Sequence, residues 1–155
     1  MKKPTTCSLL ALMLVPFFFV TVLNAQDLKL PVKTNQETSM TFKDGMYVGT
    51  SRAKYTLEPY WGKVKLTIKK GLISDIHFAI RDSSLHETFD GNYEKHFEGN
   101  PEYIQQSRND WKGVQTYTKK LSEKKEIGMV DAVSGATWSY NIFKASVNDA
   151  LDKAR

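Results

Sequence analysis

Two adjoining stretches with a strict two-residue period constrain this chain more than anything else in it. From Gly62 onward, Val64, Leu66 and Ile68 alternate with Lys63, Lys65, Thr67 and Lys69. After Lys70-Gly71, Ile76, Phe78 and Ile80 alternate with Asp75, His77 and Ala79. Successive side chains of a strand point to opposite faces, so each stretch predicts a strand with one apolar face. Lys70-Gly71 supplies the turn, because glycine takes positive φ without steric cost. A hairpin that is apolar on one side requires a cover.

Two helices are expected to provide it. Asn100-Pro101-Glu102 has the order of a helix start: a capping Asn, Pro at the first helical position and an acid in the first turn. Ile104, Trp111 and Leu121 mark the expected buried side, with an interruption expected at Gly113. Near the C-terminus, Phe143, Val147, Ala150, Leu151 and Ala154 follow i, i+4, i+7, i+8 and i+11, a single apolar stripe. Asp44-Gly45 signals a turn before a short strand, Met46-Tyr47-Val48-Gly49-Thr50. Residues 82–99 are polar, contain glycine and lack a period; they are expected to form a long surface loop. Strands followed by helices predict an α+β fold: a small antiparallel sheet covered by helices.

The first 25 residues have the pattern of an export signal. Lys2 and Lys3 precede an apolar run, Leu9 to Leu23, and Leu23-Asn24-Ala25 ends it with a small residue before Gln26. Fifteen residues are short for a spanning helix, which needs about 20; a cleaved signal is expected, with a retained N-terminal anchor as the alternative. Either way the domain is expected outside the cytoplasm, periplasmic or otherwise extracytoplasmic and open to membrane association. Residues 26–43 are expected to be a leader and 44–155 the domain. Cys7 is the only cysteine and lies within the signal, so a mature chain would have neither a disulfide nor a thiolate site. The net charge of +5 falls to +3 without Lys2 and Lys3, which does not imply nucleic acid. His77, His86 and His96 lack ligand spacing for a metal, and Asp82, Glu87 and Asp90 lack the pattern of a calcium loop.

Chemistry concentrates in Asp131-Ala132-Val133-Ser134-Gly135-Ala136-Thr137, just before the last helix. Small residues let the backbone approach a bulky anion, and a helix N-terminus presents unpaired N–H groups and the positive end of its dipole. The plain alternative is a Ser or Thr serving as the helix N-cap.

That run resembles the flavinylation motif of the FMN-binding domain family, which includes the periplasmic flavin subunits of the sodium-pumping quinone reductase and the related Rnf complex. In the family an Asp, two residues, Ser or Thr, Gly or Ser, and Ala-Thr precede a phosphoester bond between that Thr and FMN. Asp44 to Thr50 resembles the family's opening strand, Lys70-Gly71-Leu72-Ile73 its hairpin and Ala145 to Leu151 its closing helix. The resemblance implies that Thr137 attacks FAD, keeps FMN and releases AMP, with catalysis by a separate magnesium-dependent flavin transferase. Ser134, Gly135 and Ala136 would line the phosphate and the nearby ring, and Asp131 would orient the loop or be read by the transferase, with a solvent-exposed turn carboxylate as the plain alternative. Glu87-Thr88 resembles a pair near the flavin in relatives, although Phe89-Asp90-Gly91 stands where Pro-Gly usually follows. Trp138 would stack on the isoalloxazine or simply pack at the helix start. The implied function is an extracytoplasmic electron carrier between a membrane donor and an extracytoplasmic acceptor, rather than a stand-alone enzyme. The alternatives are the flavin module of an exported multi-subunit reductase and a non-catalytic binding protein that has lost the cofactor.

Overall fold

The computed structural model describes residues 42–155; the expected signal with Cys7, and the expected leader as far as residue 41, lie outside the described residues. Four strands form one antiparallel sheet in the order β1 (Gly45–Thr50), β2 (Tyr60–Lys69), β3 (Leu72–Asp82) and β4 (Glu87–Phe89). Two helices follow, α1 (Pro101–Lys124) and α2 (Thr137–Lys153). The α+β class is the one the alternating stretches called for.

The central hairpin turns at Lys70 and Gly71, whose φ values of 54° and 72° match the right-handed twist of the flanking strands. Asp44 braces this turn by accepting the Gly71 N–H at 2.9 Å. A bulge interrupts the β2–β3 register: Thr67 faces Asp75 while Ile68 faces Ile73. The extra residue, Ser74, donates its hydroxyl to the Thr67 carbonyl at 3.0 Å. The bulge lets Ile73 share the inner face with Ile76, Phe78 and Ile80 despite the odd spacing.

On the inner face Val64, Leu66 and Ile68 meet Phe143, Val147, Ala150 and Leu151 of α2, all buried. Each large aliphatic or aromatic side chain buried in this way contributes roughly 1.5–3 kcal/mol. The helix comes very close to the sheet: a Cβ added to Gly49 would lie 2.1 Å from the Ser146 carbonyl oxygen. Beside this cluster lies a second, smaller one built on Ile80, Phe89, Tyr93, Val114 and Ile142.

Helix α1 starts as its sequence requires, with the Asn100 side chain accepting the Tyr103 N–H at 3.2 Å and Pro101 at the first position. Two expectations fail. Gly113 does not interrupt α1, which runs unbroken through it; a Cβ there would stand 2.8 Å from the Ala136 Cβ and 3.0 Å from the Ser139 hydroxyl. Glycine at 113 therefore allows α1 to approach the segment leading into α2. Of the three residues expected on the buried side, Leu121 is buried, while Ile104 and Trp111 are half-buried.

The segment 82–99 is not a surface loop throughout. It holds β4 and a 3-10 segment, Tyr93–Phe97, and it buries Asp82, Phe89 and Tyr93. Both elements are too short to establish a period, and single aromatic anchors rather than an alternating face hold them down.

Candidate functional site

The run from Asp131 to Thr137 joins the two helices and is shaped mostly by α1. The Ala136 N–H donates to the Val133 carbonyl at 3.0 Å, closing a turn in which Gly135 takes φ of 75°. That value falls in the left-handed region, where a Cβ is penalised. Tyr117 of α1, fully buried, spans the turn. Its hydroxyl donates to the Ala136 carbonyl at 2.8 Å and accepts the Val133 N–H at 3.2 Å. Burial pushes the Tyr117 hydroxyl above its ordinary pKa, which keeps it protonated as the donor this bridge needs. Tyr140 ties the start of the run, donating to the Val130 carbonyl at 2.6 Å. Gln106 reaches the Gly135 carbonyl at 2.8 Å.

The plain capping alternative does not hold. The N-cap of α2 is Ala136, which has no side-chain cap. Asp110 of α1 takes over that function from a distance, its Oδ1 accepting the Ser139 N–H at 3.1 Å and the Ser139 hydroxyl at 2.7 Å. A carboxylate at this end also complements the helix dipole. Only the first two N–H groups of α2, those of Thr137 and Trp138, are left without an acceptor among the described residues. Thr137 is exposed, and no hydrogen bond among the described residues engages its hydroxyl. Ser134 and Gly135 are also exposed, whereas Ala136 is buried against Gly113. Asp131 is exposed, and its backbone carbonyl lies 3.5 Å from Lys120 Nζ.

Directly after Thr137, Trp138 turns into a wall of aromatic rings. It meets Tyr60 at 5.3 Å and Phe89 at 5.4 Å between ring centroids, both edge to face. These rings, with Tyr93, Phe97 and Tyr103, line a pocket of about 310 Å³; Gln106, Ser107 and Asp110 of α1 complete it. A largely apolar aromatic pocket with a few polar groups at one side is the usual form of a small-molecule site. Behind it, the Tyr93 hydroxyl donates to the buried Asp82 carboxylate at 2.5 Å and lies 3.1 Å from the Tyr60 hydroxyl. Burial and these two partners push the Tyr93 hydroxyl far above its ordinary value. It therefore stays neutral.

The remaining pair separates. Glu87 shares the inner face with Phe89 but is engaged by His96 at 2.9 Å and Lys95 at 3.2 Å. His96 holds its carboxyl below the ordinary value, helped by Lys95. Thr88 lies on the opposite face, its hydroxyl bonded to the Arg81 guanidinium. Phe89 is the β4 residue that lines the pocket. Among the described residues no three His, Cys, Asp or Glu side chains gather as a metal site would require.

Sequence reasoning missed Tyr117, Asp110 and Gln106, which hold the turn, and Tyr60, Phe89 and Tyr93, which line the pocket. One signal was available: Gln106, Asp110, Gly113 and Tyr117 recur at helical spacing, a stripe of hydrogen-bonding and small residues rather than apolar ones.

The sequence profile of the FMN-binding domain matches residues 60–152, more than half of the chain. The chain belongs to the FMN-binding domain family. The match takes in every element that builds the turn and the pocket, and FMN is accordingly the cofactor of this flavoprotein. The fold is also that of the CPE2226 protein from Clostridium perfringens, known from a crystal structure. It is 24% identical over 73% of this chain and 88% of that one, with a TM-score of 0.52. A comparison with curated proteins gives no match. The residues of the turn and the pocket fit that cofactor in chemical character: apolar aromatic walls suit a flat tricyclic ring, and small residues with two unpaired N–H groups suit a phosphate.

Proposed function

We propose that this FMN-binding domain is an extracytoplasmic electron-transfer flavoprotein whose FMN is joined by a phosphoester bond to the Thr137 hydroxyl. The observation that carries this reading is an exposed threonine hydroxyl, free of hydrogen bonds among the described residues, one residue before the aromatic wall of the pocket. Among the described residues no hydrogen bond joins it to a side chain that would serve as a general base. Activation of the hydroxyl thus falls to another protein, a magnesium-dependent flavin transferase. In that transfer the Thr137 oxygen attacks the phosphorus on the riboflavin side of FAD, AMP leaves with the bonding electron pair, and the hydroxyl proton passes to solvent.

When bound, FMN supplies reversible transfer of one or two electrons. The chain's part is to hold it. Ser134 and Gly135 would border the phosphate, with the N–H groups of Thr137 and Trp138 as donors, while the buried Ala136 would hold the turn against α1 behind them. Trp138, Tyr60 and Phe89 would pack on the ring. A covalent tether removes dissociation where replacement from the cytoplasm is slow, and keeps the ring at high effective concentration beside its pocket. Export by the N-terminal signal would place the domain between a membrane donor and an extracytoplasmic acceptor.

The test is co-production with a flavin transferase, followed by denaturing electrophoresis and intact-mass measurement. A fluorescent band with the mass of FMN added to the mature chain is expected. Thr137→Ala should abolish the band while leaving the far-ultraviolet circular dichroism unchanged. Fluorescence that persists in the Ala variant overturns attachment at Thr137.

A further inference from the structure

The helices cover one face of the sheet, and strand register dictates what the other face carries. Directly paired residues of an antiparallel sheet share a face. Met46, Val48 and Thr50 of β1 stand opposite Thr67, Lys65 and Lys63 of β2, which stand opposite Asp75, His77 and Ala79 of β3. A further row is Trp61, Arg81 and Thr88. The Arg52 guanidinium joins it, 5.3 Å over the Trp61 ring. Lys63, Lys65, His77 and Arg81 are exposed, as are Met46 at 61% and Val48 at 42%. Asp75 is the one acid that register assigns to this face, and it is already paired with His77 at 3.1 Å. Among the described residues no carboxylate pairs with Lys63, Lys65, Arg81 or Arg52.

The position of this cationic face gives it meaning. The row Trp61–Arg81–Thr88 lies between the rows Tyr60–Asp82–Glu87 and Gly62–Ile80–Phe89. Tyr60 and Phe89 line the aromatic pocket on the inner side. Patch and pocket are therefore back to back across one sheet layer, roughly 10 Å deep with its side chains.

We propose that this open face docks an acidic redox protein that exchanges electrons with flavin held in the pocket. This rests on the reading of the pocket given above. Complementary charge steers such encounters and sets their orientation more than it sets final affinity. The transfer moves electrons alone: one member of the pair is oxidised, the other reduced by the same count, and no bond forms between them. Protons taken up or given off by the flavin exchange with water. The chain's own leader is a poor complement for this face, since Asp27 and Glu37 are outnumbered by Lys29, Lys33 and Lys43. An anionic lipid surface shares the charge requirement but uses protruding aromatic anchors. Here Trp61 is half-buried beneath Arg52.

The isotopically labelled mature chain, titrated with an acidic flavodoxin as the probe, tests this by nuclear magnetic resonance. Shifts are expected at the Trp61 indole and at the amides of Lys63, Lys65 and Arg81, with binding weakened at least roughly tenfold at high salt as screening predicts. Lys63→Glu with Lys65→Glu should abolish binding. Lys119→Glu with Lys124→Glu, the same charge change on α1, should leave it nearly intact. Shifts elsewhere, or equal weakening by the two double variants, overturn the proposal. So does binding to phosphatidylglycerol vesicles through Lys63 and Lys65 with no response to the flavodoxin. In-gel fluorescence of the same samples reports on the flavin separately. A colourless chain that still binds through Lys63 and Lys65 sinks the flavin reading and keeps the docking face.

Discussion

Replacing Asp110 probes the one interaction that lets a helix begin without a cap of its own. In the parent protein Asp110 Oδ1 accepts both the N–H and the hydroxyl of Ser139, at 3.1 and 2.7 Å. After Asp110→Ala the Ser139 hydroxyl retains the Ala136 carbonyl at 3.1 Å, and the Gln106 amide retains the Gly135 carbonyl at 2.8 Å. The substitution creates one new orphan, the Ser139 N–H, on a residue with no exposed surface. A buried unsatisfied donor costs about 1–3 kcal/mol. Losing a carboxylate at a helix N-terminus costs a further ~0.3–2 kcal/mol. The expected loss is about 3 kcal/mol, a fall in the urea midpoint of about 1.5 M at a slope of roughly 2 kcal/mol/M. Asp110→Asn keeps the Oδ1 acceptor but loses the charge and turns an amide against that of Gln106, now 2.6 Å from Oδ2; its expected cost is about 1–2 kcal/mol. Urea unfolding followed by circular dichroism measures both, and hydrogen exchange at the Ser139 amide should accelerate in the Ala variant. A loss under about 1 kcal/mol, or identical losses in the two variants, would refute capping by Asp110.

Two further outcomes follow from the packing and the charges. Gly113→Ala should be destabilising by about 1–2 kcal/mol in thermal unfolding, because the gain in helix propensity is outweighed by overpacking against Ala136; flavin loading should fall with it, at temperatures where the domain is still folded. For Asp82, burial pushes the carboxyl up, but hydrogen bonds from Tyr93, Ser84 and Leu85, with the charge of His96, bring it below the ordinary 3.8. A depressed folded value means that its stabilisation is complete above the ordinary carboxylate range and is lost as pH falls through the folded value. Asp82→Asn should therefore flatten part of the acid-side decline in urea midpoint between neutral pH and about pH 2, without removing the share due to Asp149, which is also depressed.

What the sequence made legible was local. The hairpin, the apolar stripe of α2 and the Asn-Pro start of α1 each declare themselves within a dozen residues, through period or cap chemistry. The motif run was readable as the segment just before α2, but the left-handed backbone of Gly135 was not. The elements it concealed depend on distant partners. Asp110 caps a residue 29 positions away, and nothing near Ala136 announces that its helix is capped from elsewhere. Gly113 looks like a helix breaker until Ala136 is placed against it. Residues 82–99 show no period because β4 and the 3-10 segment are three and five residues long, held by Phe89 and Tyr93 rather than by a repeating face. Thr88 beside the motif-like Glu87 illustrates the same limit: adjacent residues of a strand belong to opposite sides.

The borrowed cap also bears on when the proposed attachment at Thr137 becomes possible. Because the first turn of α2 takes its shape from Asp110, Tyr117 and Gln106 on the other helix, an extended chain has the motif's letters but not its contour. If Thr137 is modified as proposed, an enzyme that recognises contour must wait until both helices have come together, whereas one that recognises letters acts on the unfolded chain as well.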